Sequence, residues 1–172
     1  MATLTTPLVS VEQYLATMYR PDRDYIDGEL KRRNMADIDH SRMQSLLVVA
    51  LHPLESRYGF RTLTENRIKV NATRFRIADL CLARGTAKFL KILEEPPLLC
   101  VEILSPTDRM EEIQERVDDY LAMGVPRVWV LSPRSRRGWI HGPDGVREAR
   151  DGILRTSDPD LAIPIASLFD EP

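Results

Sequence analysis

The chain has 172 residues, a formal net charge of -2, 43% hydrophobic residues and 29% charged residues. This composition is typical of a globular protein with a core and excludes a disordered chain. No apolar run approaches the ~20 residues that a membrane helix needs, and residues 1–7 lack the features of a signal peptide. We therefore expect one domain over residues 1–172, located in the cytoplasm and not in a membrane.

The first elements are a short helix and a turn. Residues 10–13 resemble a capping box, which predicts a helix that begins at Ser10 and ends near Met18. Asp27 and Gly28 form a turn dipeptide inside the extended residues 25–30. This segment predicts either a strand with a bend or a tight hairpin.

A longer helix follows, because apolar residues recur at helical spacing: Met43, Leu46, Leu47, Ala50, Leu51, Leu54 and Tyr58. Asp37 or Asp39 can cap its start. Gly59 suits a left-handed stop, and Pro53 predicts a kink.

From residue 60 the apolar period changes to two. Residues 60–63, 67–71 and 74–83 alternate in polarity and predict an antiparallel meander. Residues 86–95 are ambiguous, with a short helix as one interpretation. Residues 98–104 are apolar apart from one acidic residue and predict a buried strand.

The C-terminal part predicts a helix over 110–123 that ends at Gly124, then a strand over 127–131. A helix of this length fits a crossover connection, so the strand is expected to run parallel to 98–104. Residues 139–150 predict a polar edge hairpin, and 165–169 predict a final helical turn.

Two acidic residues, Asp79 and Glu102, lie in segments that otherwise predict buried strands. Because side chains alternate along a strand, Asp79 is expected to share an apolar face with Ile77 and Cys81. A buried ionised carboxylate costs several kcal/mol unless it is paired, protonated or bound to a cation. Two interpretations remain at this point: ion pairs with nearby arginines such as Arg74 or Arg76, or a shared metal site.

The order of several short motifs is more specific than any one of them. The chain resembles the Uma-type family of restriction-endonuclease-like proteins, a branch of the PD-(D/E)XK nuclease superfamily. The resemblance covers residues 9–169. It is carried by Tyr25-Ile26-Asp27-Gly28-Glu29, His40, Ala78-Asp79-Leu80, Val101-Glu102-Ile103-Leu104-Ser105-Pro106, Tyr120-Leu121-Ala122-Met123-Gly124-Val125-Pro126 and Val128-Trp129-Val130.

This resemblance implies an α/β fold with a restriction-endonuclease-like mixed β-sheet flanked by helices. It implies a Mg²⁺- or Mn²⁺-dependent endonuclease that acts on DNA. Asp79, Glu102 and the backbone carbonyl of Ile103 would be the metal ligands, with Glu29 and His40 as further catalytic-site residues. The two-fold symmetry of duplex DNA also leads us to expect a homodimer.

The chain departs from the superfamily at the catalytic lysine. In most of the superfamily the lysine lies two residues after the glutamate, and that position is Leu104 in this chain. In the Uma-type branch the lysine lies on the following helix, four residues before a tyrosine. Counted back from Tyr120, that position is Arg116. Arginine stays protonated and cannot act as a general base, although it can stabilise negative charge. Two alternatives therefore stand beside the nuclease: a non-catalytic nucleic-acid-binding or regulatory protein, and a homo-oligomeric interaction module with a structural carboxylate pair.

Overall fold

The computed structural model describes residues 8–85 and 91–169. The α-helices of this part are α1 (Val11–Ala16), α2 (Ile38–Leu51), α3 (Glu55–Tyr58) and α4 (Met110–Met123). The strands are β1 (Arg23–Ile26), β2 (Glu29–Arg32), β3 (Phe60–Thr64), β4 (Arg67–Asn71), β5 (Arg74–Ile77), β6 (Leu80–Arg84), β7 (Leu99–Ile103), β8 (Val128–Ser132), β9 (Arg137–Gly142), β10 (Gly145–Glu148), β11 (Ile153–Ser157) and β12 (Asp160–Pro164).

The strands form two sheets and a separate hairpin. The larger sheet has the order β10-β9-β8-β7-β6-β3, and the smaller has the order β2-β1-β5-β4. Strands β7 and β8 are parallel and are joined through α4, as the sequence predicted, while the other pairs are antiparallel. The predicted mixed sheet flanked by helices is confirmed.

The larger sheet is covered on both faces. One face packs against α2 and the β11–β12 hairpin, with Leu47, Leu99 and Trp129 among its fully buried residues. The other face packs against α4, through Val117 and Tyr120. Because side chains alternate along β7, its acidic residue points towards α4 while its neighbours point towards α2.

Several local signals of the sequence are confirmed. Ser10 and Gln13 form both hydrogen bonds of a capping box at the start of α1. Asp27 and Gly28 both have positive φ, 49° and 96°, and form the turn of the β1–β2 hairpin. The tight-hairpin interpretation of this segment is therefore the correct one.

Both long helices begin as predicted, but the helix predicted to run to Tyr58 is interrupted at Pro53 and continues as the separate short helix α3. The Asp37 side chain accepts a hydrogen bond from the backbone N–H of His40 at 2.8 Å and caps α2. Helix α2 ends before Pro53, which lies in a 3₁₀ turn, and Gly59 ends α3 with a φ of 70°. Gly124 ends α4 in the same way, with a φ of 103°.

The predicted antiparallel meander is correct for β4 and β5 but wrong for the strands on either side of them. Strand β3 pairs with β6 in the larger sheet, whereas β4 pairs with β5 in the smaller one. The predicted strand over 74–83 breaks at Ala78 and Asp79, where the chain passes from one sheet to the other. Asp79 therefore lies in a connection and does not share a strand face with Ile77 and Cys81. Alternating polarity indicates strands but does not show which strands pair.

The sequence did not predict the β11–β12 hairpin. Its buried residues alternate, with Leu154 and Thr156 facing Leu161 and Ile163 across the pair. The predicted edge hairpin is confirmed as β9–β10, and the final turn as a 3₁₀ turn over Ile165–Leu168. In the ambiguous segment 86–95, residues 86–90 lie outside the described part, and Leu93 forms a bridge with Ile68.

Candidate metal centre

Asp79 lies at the crossing between the two sheets and is 3% exposed. Its Oδ2 accepts a hydrogen bond from the backbone N–H of Ile103 at 2.7 Å and lies 3.2 Å from Nε2 of His40. Its Oδ1 accepts a hydrogen bond from the guanidinium of Arg33. Contacts from three separate elements therefore fix the orientation of this carboxylate.

Glu102 is held by the helix that follows its strand. Its Oε1 accepts a hydrogen bond from the hydroxyl of Tyr120 at 2.7 Å, and its Oε2 accepts one from Nη1 of Arg116 at 3.3 Å. Positions 116 and 120 are one turn apart on α4, so both side chains lie on the helix face that packs against β7. Arg116, at the position of the family's lysine, therefore lies directly beside Glu102.

Asp79 and Glu102 line the same small pocket. Its volume is about 20 Å³, which leaves room for about one particle of the size of a water molecule. Its walls are Arg33, Asn34, His40, Asp79, Glu102, Ile103, Ser105, Asp108, Ile113 and Arg116. The structure thus brings together five of the six residues that the sequence assigned to the site.

Glu29 is the residue that the structure does not bring there. It lies on β2, about half exposed, and pairs with Lys31 of the same strand. Its carboxylate is not part of the pocket wall. A catalytic role for Glu29 thus has no geometric support in this arrangement and stays a prediction of the sequence.

The two carboxylates have pKa values shifted in opposite directions. Burial raises the pKa of Glu102 to about 7; Arg116 opposes this shift and Asp79 adds to it. Burial also acts to raise the pKa of Asp79, but the hydrogen bond from His40 and the charge of Arg33 outweigh it, so that pKa is lowered. Asp79 is therefore ionised at neutral pH, whereas the pKa of Glu102 lies close to neutral pH.

The pKa of His40 is raised. Burial of the imidazole acts to lower it, but the hydrogen bond to Asp79 and the negative charge of that residue outweigh the burial. The ring donates Nε2–H to Asp79, while Nδ1 is buried and forms no hydrogen bond within the described part of the chain. Few buried polar atoms in a folded protein lack a partner, so Nδ1 can serve a bound water or ligand.

A buried ionic network supports the Arg116 side of the pocket. Asp24 on β1 is fully buried and contacts Nη2 of Arg116 at 3.3 Å and Nη1 of Arg76 at 3.1 Å. It also accepts the backbone N–H of Ile77 at 3.1 Å. Arg116 is thereby held between two carboxylates, those of Asp24 and Glu102. These contacts raise its pKa further, although its burial acts to lower it.

The arginines that the sequence suggested as ion-pair partners have other contacts. Arg74 and Arg76 each donate to Asp119 at 2.6 Å. The two site carboxylates pair instead with Arg33 and Arg116. The interpretation that Arg74 or Arg76 neutralises Asp79 or Glu102 is therefore wrong in its residues, although both carboxylates do contact an arginine.

Among the residues that the sequence did not assign to the site, Arg33, Asp24, Gln44 and Tyr120 form hydrogen bonds or ion pairs with its assigned residues. Gln44 on α2 donates to the backbone carbonyl of Asp79 at 2.7 Å. A signal existed for Tyr120, because it lies four residues after Arg116 on a predicted helix. Arg33 carried no such signal, since it lies in an irregular segment whose direction the sequence does not define.

The donor set fits a hard divalent cation. Each carboxylate offers about four lone-pair directions, and the contacts above leave one or more unfilled on both. Within residues 8–85 and 91–169, no cluster of three or more His, Cys, Asp or Glu side chains is arranged to hold a metal ion. Two carboxylates that leave further positions to water and phosphate are the usual protein contribution to a Mg²⁺ site, whereas a structural Zn²⁺ site takes four protein ligands.

The sequence profile of the Uma2 family, described as "Putative restriction endonuclease", matches residues 11–166. The chain belongs to the Uma2 family. No curated protein matches the sequence significantly. A solved structure, a "putative nuclease belonging to DUF820" from Anabaena variabilis ATCC 29413, superposes with a TM-score of 0.81 at 19% identity, covering 94% of this chain and 97% of that chain. At this identity the likeness shows that the fold is shared, and membership of Uma2 supports a nuclease function.

Proposed function

We propose that this Uma2 protein hydrolyses phosphodiester bonds of DNA, using Mg²⁺ or Mn²⁺ held by Asp79 and Glu102. One observation carries the proposal: two buried carboxylates from different elements line a pocket of single-ion size. Like charges that face one pocket repel each other, and a divalent cation between them would add to the neutralisation that Arg33 and Arg116 already provide. Ile103, which follows Glu102 and lines the pocket, can add its backbone carbonyl as a third ligand.

When bound, the cation would polarise the scissile phosphate and lower the pKa of an attacking water. The protein's own contribution is to fix the ligands. Ile103 N–H and His40 orient Asp79 through Oδ2, and Tyr120 orients Glu102, so both carboxylates are held in place before a cation binds. Arg116 supplies a permanent positive charge beside Glu102 that can attract a phosphate oxygen.

One observation favours a second candidate, a DNA-binding protein without cleavage activity. The Arg116 guanidinium pairs with both Glu102 and Asp24, and those contacts strengthen its protonated state. A group that keeps its proton cannot replace a lysine that takes part in proton transfer. An arginine in place of the family's lysine would still bind a phosphate even if the protein could no longer cleave DNA.

Two further expectations stay predictions of the sequence, namely the homodimer and the cytoplasmic location. No α-helix in the described ranges is long and apolar enough to cross a membrane. The homodimer would place two pockets on the two strands of one duplex.

Asp79→Asn and Glu102→Gln are each expected to reduce Mg²⁺-dependent nicking of supercoiled plasmid about 100-fold or more, because each removes a negatively charged metal ligand. EDTA should have the same effect on the wild type. Asp39→Asn and Glu111→Gln make the same chemical changes at exposed positions on α2 and α4 and should leave nicking unchanged. Cleavage that survives both site substitutions would refute the proposal, and DNA binding without any cleavage in the wild type would favour the second candidate.

A further inference from the structure

Arg33 contacts Asp79 at Oδ1, the oxygen that does not contact Ile103 or His40. It lies in the irregular segment between β2 and α2, with a side chain that is 14% exposed. One guanidinium nitrogen donates to Oδ1 of Asp79, and the other terminal nitrogen pairs with Glu65. Its Nε is buried and forms no hydrogen bond within the part of the chain that the structure describes. The guanidinium is thus a resident positive charge inside the pocket wall.

The contacts of Asp79 leave Oδ1 as its open oxygen. Oδ2 already accepts the backbone N–H of Ile103 and contacts His40, which fills both of its lone-pair directions. Oδ1 contacts Arg33 and has a direction to spare. A divalent cation at this oxygen would lie directly beside the guanidinium, and two positive charges at such short range repel strongly in a buried site.

The small volume of the pocket also limits whether a cation and the Arg33 guanidinium can lie beside Asp79 together. A space of about 20 Å³ holds one small particle, and Arg33 forms part of its wall. Arg33 also pairs with Glu65, whose side chain is 47% exposed and lies in the turn between β3 and β4, so there is open space towards the solvent on that side. The guanidinium can therefore keep the Glu65 pair while it moves away from Asp79.

We propose that Arg33 is the counter-cation of Asp79 in the metal-free protein, and that a divalent cation binds by displacing it. Arg33 thereby sets how tightly the pocket binds the cation. This inference rests on the proposed function, because it takes Asp79 as a ligand. It adds an internal competitor, which means that a ligand able to draw Arg33 away, such as a phosphate group of the substrate, would strengthen cation binding.

The test is the affinity of the purified protein for Mn²⁺, measured by isothermal titration calorimetry at fixed pH and ionic strength. Arg33→Ala and Arg33→Gln both remove the charge, and Gln keeps a hydrogen-bond donor for Asp79. Both are expected to bind Mn²⁺ about tenfold more tightly than the wild type, which corresponds to about 1.4 kcal/mol. The matched control is Arg32→Ala, which removes the same charge from the exposed neighbouring residue and should change the affinity less than twofold.

The outcomes separate this inference from the proposed function. If the wild type binds Mn²⁺ and Glu102→Gln does not, the metal site stands; equal or weaker binding by both Arg33 variants then overturns the inference alone. A tightening in Arg32→Ala as large as that in the Arg33 variants also overturns it, because the effect would be general electrostatics. If neither the wild type nor the Arg33 variants bind Mn²⁺, both proposals are wrong.

Discussion

Arg116→Lys is expected to raise the rate of Mg²⁺-dependent plasmid nicking by about tenfold or more. Arg116 contacts Glu102 and Asp24 at 3.3 Å each and keeps its proton, so it can hold a phosphate but cannot exchange a proton with a reacting water. Lysine can reach the same carboxylates, and burial can lower the pKa of its ammonium group so that it can give up a proton. Arg116→Ala is expected to weaken both DNA binding and any cleavage, because it removes the fixed charge altogether.

The controls for this experiment lie on the same helix and in the same site. Arg109→Lys makes the same change at the exposed start of α4 and should leave nicking unaltered. Glu102→Ala serves as the blank for contaminating nuclease. Efficient cleavage by the wild type with slower cleavage by Arg116→Lys would show that arginine is a working substitute. If neither protein cuts while both bind DNA, the binding function replaces the nuclease.

In the metal-free protein, Glu102→Gln is expected to increase the free energy of unfolding by about 1–3 kcal/mol at pH 8 and by much less at pH 5. Burial raises the pKa of Glu102 from 4.5 to about 7, so between these values the folded state binds more protons than the unfolded state. The wild type therefore loses stability as the pH rises through this window. Glutamine does not titrate and avoids the loss. Asp79 stays ionised in both proteins, because its pKa is lowered.

This prediction is measured by urea unfolding in EDTA at the two pH values, with exposed Glu111→Gln as the matched control that should show no difference. Saturating Mn²⁺ is expected to reverse the order at pH 8, since it stabilises only the protein that binds it. A Glu102→Gln variant that is less stable than the wild type at pH 8 without metal would show that burial of the ionised Glu102 does not destabilise the folded protein.

The local structure was largely predictable from the sequence, because its signals act over a few residues. The capping box at Ser10, the Asp27-Gly28 turn and the Gly124 stop each have a short-range physical cause, and each is confirmed. Strand pairing was not predictable in the same way. The alternation over residues 60–83 is equally compatible with one sheet or two, and only tertiary packing decides that the chain changes sheets at Asp79.

The candidate site was predictable where motifs carried it. Asp79, Glu102, His40 and Arg116 do meet in one pocket, although they come from α2, β7, α4 and the connection between β5 and β6. The partners of these residues were not predictable, because each contact depends on how distant elements pack. Arg33 is the clearest case: an arginine in an irregular segment gives no indication of which carboxylate it reaches.

The most direct test of the metal site is a crystal structure of the wild type after soaking in Mn²⁺, with data collected for anomalous scattering. We predict an anomalous peak between Asp79 and Glu102, within about 2.2 Å of one carboxylate oxygen of each, as for oxygen ligands of a small divalent cation. Arg33 should then no longer contact Oδ1 of Asp79. A well-ordered pocket with no anomalous peak, in which Arg33 still pairs with Asp79 at saturating Mn²⁺, would contradict the account.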